Sequence, residues 1–515
     1  MATIPNSQNF PQFSQADIIS EMKKVSNIDI SDFRFYPAIQ NRPNEIIKIE
    51  SEENGIVLTF GTVARKALLS YTHETSLHLY KPADATVDTL YLHINIWTDD
   101  IFRVVFSKEK KISNPFSGLP ENARMLIAKP EKVEFTLDET ENKITLTTSK
   151  TEITVDKKTT RISAKFIDGK EFYSQKKQDF RTGDIHDLAL ADSDNDYACF
   201  EALELESDEI IYGLGERFDS LTRNGRTVDF HNKDAVGTTS RRAYINIPFY
   251  LSTKGYGLFL NSGAKTDWQI ATTDLSALQF AVLDSQLDYF VIGGKTPKDI
   301  IKGYCSLTGF SKLPPLWSFG LWMSRNSYVS WDVVDDIAKK VRENDIPCDV
   351  LHLDTAWFNR DWNCDLKFSE ERFPNPEENI DRYKKDGFKI SLWQYNFIPP
   401  NDDNEHYHEA VKYGYLSKDK DGNPYQLPET CQGSWVKDVT IDFSNPDACK
   451  WYADKIKELI KLGACAIKTD FGEGIAEDAV YQNIDGKHFH NLYSLVYNGV
   501  VFDATKSVSG ENIVW

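Results

Sequence analysis

Positive charge is in deficit along this chain. Against 78 acidic residues stand 59 lysines and arginines, a net charge of −19, which repels phosphate backbones and anionic lipid and sets nucleic acid and membrane surfaces aside as partners. No apolar run approaches the ~20 residues that span a bilayer. The opening stretch MATIPNSQNFPQFSQADIISEMKK has no basic segment followed by an apolar block, as a secretory signal would need. The cytoplasm is therefore the expected compartment.

Cysteine is scarce and badly placed for a framework. The seven residues Cys199, Cys305, Cys348, Cys364, Cys431, Cys449 and Cys465 are odd in number and widely spaced, so neither a disulfide scaffold nor a zinc pattern can be read from them. Reduced core thiols are expected. A Gly-rich dinucleotide or phosphate loop is missing as well, and no cofactor or metal is expected. DSDND, 192–196, begins like a calcium loop but has Tyr197 and Leu203 where the turn glycine and the bidentate glutamate belong, which makes it a solvated turn. His406 and His408 lie two apart in a charged segment without matching ligands and read as surface histidines.

What is present divides into two rhythms. With 515 residues the chain exceeds a single core, and two or three domains are expected. From about 28 to 292, short alternating segments such as KITLTTSKTEITVD and YGLFLNSG, punctuated by turn residues, predict an antiparallel β region, a sandwich. It closes with a helix that Thr296 caps, Pro297 begins and Gly309 ends. SKLPPLW follows as a linker. Beyond it, apolar runs alternate with amphipathic helices: SFGLWMS, CDVLHLD, KISLWQY, ACAIKTD and, at the end, NIVW. Ser330 caps the helix after the first run; Asn445, Pro446 and Gly463 bound the one before the fourth. Such alternation predicts a parallel sheet covered by helices, and the missing phosphate loop favours a (β/α)8 barrel over a doubly wound sheet. The expected division is an N-terminal extension over 1–27, a β-sandwich over 28–312 and a partial barrel over 313–515.

In a (β/α)8 barrel the site forms at the C-terminal ends of the strands. Three predicted strands deliver Asp354, Trp393, and Lys468 with Asp470 to that rim. A lone aspartate there is commonly a helix cap, but four convergent groups point to a site. Lys468 and Asp470 fall on one side of their strand, because side chains repeat every two residues. Eight of the eleven tryptophans lie between Trp317 and Trp451; most are core, yet indole faces also suit the C–H faces of a sugar ring.

At these residues the chain resembles glycoside hydrolase family 31, and most closely its bacterial α-xylosidases. The resemblance is carried by YGLGERFDSLTRNGRTVDFHNKD, NIPFYLSTKGYGLFLN, LHLDTAWF, DFSNPDACKWYADKIK, IKTDFGEGI and FHNLYSLVYN, collinear from about 212 to 498. It implies an N-terminal β-sandwich followed by a (β/α)8 barrel, with exo-acting, retaining hydrolysis of an α-linked oligosaccharide, most particularly the xylose branches of xyloglucan fragments. Asp470 falls at the family's nucleophile and Glu473 at a supporting active-site position. Asp354 and Lys468 match residues that hold hydroxyls of the cleaved sugar, Trp393 matches an aromatic wall, Phe471 belongs to the same substrate-binding stretch, and Asp234 in HNKD lies on the loop that reaches over the barrel mouth. Retaining chemistry needs one ionised carboxylate and a second, protonated carboxyl ~5–5.5 Å away; Lys468 beside Asp470 favours the ionised form.

The departures concern substrate. Thr355 and Ala356 stand where such α-xylosidases carry Cys-Phe, and Ser327 or Tyr328 stands near the phenylalanine that crowds out a hydroxymethyl group. An α-glucosidase of the same family is the alternative, since a hydrophobic filler discriminates by only ~1–3 kcal/mol per group. NIVW resembles the fifth barrel strand, after which the acid/base aspartate is expected beyond Trp515. The sequence is thus expected to be a barrel cut after about its fifth strand and inactive alone. A carbohydrate-binding fragment without catalysis is the alternative of another class; homo-oligomerisation of the complete enzyme stays open.

Overall fold

The computed structural model describes residues 28, 30, 38–67, 80–120, 124–176, 188–193, 196–235, 241–428, 438–510 and 513–515. The extension 1–27, Cys431 and the middle of the DSDND turn lie outside them.

The N-terminal half is antiparallel throughout. Alternating segments pair into a fourteen-stranded sheet and a five-stranded sheet. In the smaller sheet, Thr151–Asp156 and Arg161–Phe166 bury every second residue, as a half-buried pleat requires. Ile144, Ile153 and Ile162 from that sheet join Leu58, Leu92 and Val104 of the larger one in a single core. The strands Ala189–Ser193 and Asp196–Glu204 pair antiparallel on either side of the DSDND stretch, whose middle lies outside the described residues.

The helix Pro297–Thr308 has its predicted boundaries: Thr296 and Asp299 form a reciprocal capping box, and Gly309 at φ 107° ends it. The parallel region then begins later than SFGLWMS suggests. Ser318 and Phe319 belong to a 3-10 turn, Leu316–Phe319, set up by Pro315, and the strand is only Trp322–Ser324.

Four parallel strands follow in chain order: Trp322–Ser324, Val350–Leu353, Lys389–Tyr395 and Ala466–Asp470. Val514 bridges Ile467 in parallel, so Ile513–Trp515, the described end of NIVW, lies next to the fourth strand. Between them run the helices Trp331–Glu343, Pro376–Lys385, Pro446–Lys461 and Gly486–Ser509. Asn445 accepts from the Asp447 amide, Pro446 opens its helix, and Gly463 at φ 110° turns the chain back. Ser330 occupies its cap position without a capping bond from its side chain. The fold is an N-terminal antiparallel domain followed by the parallel strands of a TIM barrel.

Two expectations need correction here. His406 is not a surface residue: it lies on the helix Glu405–Tyr413 at 3% exposure, hydrogen-bonded to the Cys364 carbonyl and packed on Trp451. Its Nδ1 has a backbone partner that a charge-pattern reading cannot see, and burial drives its pKa down to about 3. Among the described residues the six cysteines form no disulfide, but Cys305, Cys449 and Cys465 are half-buried rather than core.

Candidate active site

The third and fourth parallel strands pair with Trp393 opposite Lys468 and Tyr395 opposite Asp470. Period-two geometry then aims Lys468 and Asp470 to one side, and Lys468 Nζ stands 3.4 Å from Asp470 Oδ2 and 3.7 Å from Asp354 Oδ2. One ammonium is thus shared by two carboxylates from two strands. Trp393 Nε1 donates to Asp470 Oδ2 at 2.8 Å. Asp354 also caps the 3-10 turn Thr355–Trp357 by accepting from the Thr355 amide, so cap and site residue are the same group.

Trp393 reaches the site by its edge. Its indole is 1% exposed, stacked on Tyr395 and met edge-on by Trp362, so it presents an N–H rather than the open wall the sequence suggests. The surrounding rings leave no free face. Trp357 is wholly buried and donates to the Trp393 carbonyl. Phe471 packs near Trp362, Tyr395 and Phe397. At φ 59° it holds a left-handed conformation uncommon for a side chain, and Gly472 continues the turn at φ 110°, where a Cβ would meet Ser494 Oγ at 2.9 Å. This reversal carries the chain from Asp470 to Glu473.

Glu473 is 5% exposed. Burial, reinforced by the negative charges of Asp234 and Asp470, pushes its carboxyl up to about 7. Asp234 arrives from the N-terminal domain, where Tyr244 donates to it at 2.6 Å. The loop is fastened by groups that sequence reasoning missed. Asn491, on the helix Gly486–Ser509, accepts from the Asn232 amide at 2.9 Å and donates to the Gly263 carbonyl at 3.1 Å. His490 stacks on His231 at 4.0 Å, with its two ring nitrogens against the carbonyls of Ile475 and Asn232, and His231 bonds Glu477. His231, Glu477 and His490 bring possible metal-ligand atoms within 4.8 Å. Both ring nitrogens of His490 face carbonyl oxygens, to one of which a neutral ring donates, and the trio joins the N-terminal domain to the barrel. FHNLY was visible in the sequence as a motif; its partners, some 250 residues upstream, were not.

A raised acid makes a testable stability signature. Glu473 favours folding most below its unfolded value near 4.5, and that contribution is lost as pH rises through about 7. The shift corresponds to about 3 kcal/mol. Glu473→Gln removes this dependence: in urea titrations, wild type should lose that amount relative to the variant between pH 4 and pH 8. A constant difference would show that Glu473 does not titrate there.

The description "Glycosyl hydrolases family 31 TIM-barrel domain" matches residues 311–515, and "Glycosyl hydrolase 31 N-terminal galactose mutarotase-like domain" matches 91–268, between them most of the chain. The chain belongs to glycosyl hydrolase family 31. Family 31 relatives include α-xylosidase XylQ of Lactiplantibacillus pentosus, 37% identical over 60% of this chain and 40% of its own length. α-Glucosidase 2 of Bacillus thermoamyloliquefaciens is 28% identical over 82% of this chain and 53% of its own length. The chain therefore spans about half, or less, of the relatives it matches. In fold it is similar to the family 31 dextranase of Flavobacterium johnsoniae, with a TM-score of 0.76 at 20% identity over 92% of this chain and 54% of that one. This family 31 chain brings Asp354, Lys468, Trp393 and Asp470 into direct contact, with Glu473 and Asp234 at the same rim and Phe471 in the aromatic packing behind them.

Proposed function

We propose that this chain carries the nucleophile and the sugar-holding residues of a retaining, exo-acting α-glycoside hydrolase that acts on α-xylosides, in particular the xylose branches of xyloglucan oligosaccharides. The observation that carries the reading is the shared ammonium: Lys468 lies between Asp354 and Asp470 while the Trp393 N–H fixes Asp470 Oδ2. The positive neighbour and the donated hydrogen bond hold the Asp470 carboxyl group at the strand end, where it can attack an anomeric carbon and form a glycosyl ester. Asp354, held from behind, keeps acceptor capacity for sugar hydroxyls. The leaving oxygen is protonated by a second carboxyl group outside this set, which then activates water to release the sugar.

The α-xylosidases among the relatives favour xylose. One observation favours glucose as a second reading: Ser327 Oγ and Thr355 Oγ1 lie 3.1 Å apart, and these residues and Ala356 are small where the resemblance puts bulkier side chains in α-xylosidases. Tyr328 is buried, not presented to a ligand. The ratio of kcat/KM for p-nitrophenyl α-xyloside and α-glucoside, measured on a form of the protein that turns over, decides between them. We expect xyloside to be preferred by roughly 10- to 100-fold, the scale of one filled or unfilled group. A preference for glucoside would transfer the assignment to α-glucosidase.

A further inference from the structure

Beneath Asp354 lies a chain of hydrogen bonds whose direction can be derived atom by atom. Trp515 Nε1 contacts Ser391 Oγ at 3.1 Å, Ser391 Oγ contacts His352 Nδ1 at 3.0 Å, and His352 Nε2 contacts Asp354 Oδ2 at 3.2 Å. An indole N–H can only donate, and an ionised carboxylate can only accept. Asp354 Oδ2 must therefore accept from His352 Nε2–H, and a neutral ring then carries no proton on Nδ1, which accepts from the Ser391 hydroxyl while Ser391 Oγ accepts from Trp515. The reverse tautomer would aim a nitrogen lone pair at the Asp354 carboxylate.

Position supports the same assignment. His352 is 1% exposed and Ser391 wholly buried, so water does not compete for these groups. Burial lowers the pKa of His352 from its ordinary value and outweighs the opposite pull of the hydrogen-bonded Asp354, which favours the neutral ring. A charged imidazolium at this place would compete with Lys468 for Asp354. The neutral ring instead orients Asp354 without adding charge, leaving the lysine divided between Asp354 and Asp470. Two neighbouring parallel strands and the segment at Trp515 supply the links: His352 precedes Asp354, Ser391 faces His352 in register, and Trp515 packs its ring against His352 at 4.8 Å.

We propose that His352 is a positioning residue for Asp354, held in the Nε2–H tautomer by Ser391 and Trp515, and that through it the fifth barrel segment governs how the site grips a sugar. The sugar-binding part rests on the function proposed above; the tautomer does not. The test uses the full chain labelled with 15N on histidine and 13C on aspartate. Long-range 1H–15N spectra at neutral pH should show His352 with a protonated Nε2 and an unprotonated Nδ1. Ser391→Ala and Trp515→Phe, the latter at a half-exposed residue whose ring shape is largely kept, should each shift the His352 Nδ1 resonance. A protonated Nδ1, or a doubly protonated ring, overturns the proposal. His352→Leu should move the Asp354 carboxyl carbon resonance and weaken xylose binding by roughly tenfold, the scale of one hydrogen bond to a charged group, whereas His352→Gln, which keeps a donor, should restore most of the affinity. Unchanged affinity and an unmoved Asp354 resonance in His352→Leu also overturn it. If the wild-type chain binds no xylose, the functional reading fails, and the tautomer with the Asp354 resonance still decides the positioning claim.

Discussion

Asp470→Ala is expected to abolish turnover of an aryl α-xyloside, by a factor of ~10⁴ or more on the scale of other nucleophile deletions, in any form of the protein that is otherwise active. The side chain sits at a strand end, with an indole N–H and a shared ammonium as its partners, and no core volume depends on it. Thermal melts of the variant should therefore stay close to wild type. The two measurements must be read together, because a collapsed variant would lose activity for a trivial reason. Near wild-type rates with an intact fold would remove Asp470 from the nucleophile role, and with it the reading of this strand.

The second large effect belongs to Lys468. Its ammonium is within 4.0 Å of two carboxylates and lies over the Trp515 ring at 5.4 Å. Lys468→Met keeps most of the aliphatic stem over that ring and removes only the charge, which makes it a sharper probe than alanine. Without the charge, Asp354 and Asp470 face each other's repulsion with less compensation, and on the proposed function a sugar hydroxyl loses a donor. We expect kcat/KM to fall by about 10²- to 10³-fold, comparable to removing one preorganised electrostatic partner from a site. Wild-type kcat/KM in the Lys468→Met variant would remove the ammonium from the working parts of the site.

Much of this site was legible because its signals are local. Lys468 and Asp470 are two residues apart on a strand, so their common side follows from backbone period alone, and the salt-bridge distance agrees. The helix before that strand is bounded by Asn445, Pro446 and Gly463, each of which acts through its own backbone angles or a bond to a residue two positions away. His352 carried the same kind of signal: it stands two residues before Asp354 and shares its side, yet no motif reading singled it out.

Other features could not be read because the partners are far apart in sequence and carry no mark of each other. Trp393 looked like a stacking wall, but whether an indole offers its face or its edge depends on what packs on it, here Trp362 and Tyr395. His406 lies in a segment of high charge, and only its tertiary neighbours take it out of water. The rise of Glu473 comes first from burial and then from Asp234, which is brought from the other domain by hydrogen bonds of Asn491 and His490.

The sequence by itself determined the two-part architecture, the strand order of the parallel region and the identity of the carboxylates and lysine at its rim, because periodicity, caps and side-chain alternation are properties of consecutive residues. Only the tertiary structure decided which way Trp393 faces, which carboxyl is pushed towards neutrality and how Trp515, Ser391 and His352 are joined to Asp354. Those outcomes depend on burial and on pairwise distances between residues up to about 250 positions apart, and such distances exist only once the chain has packed.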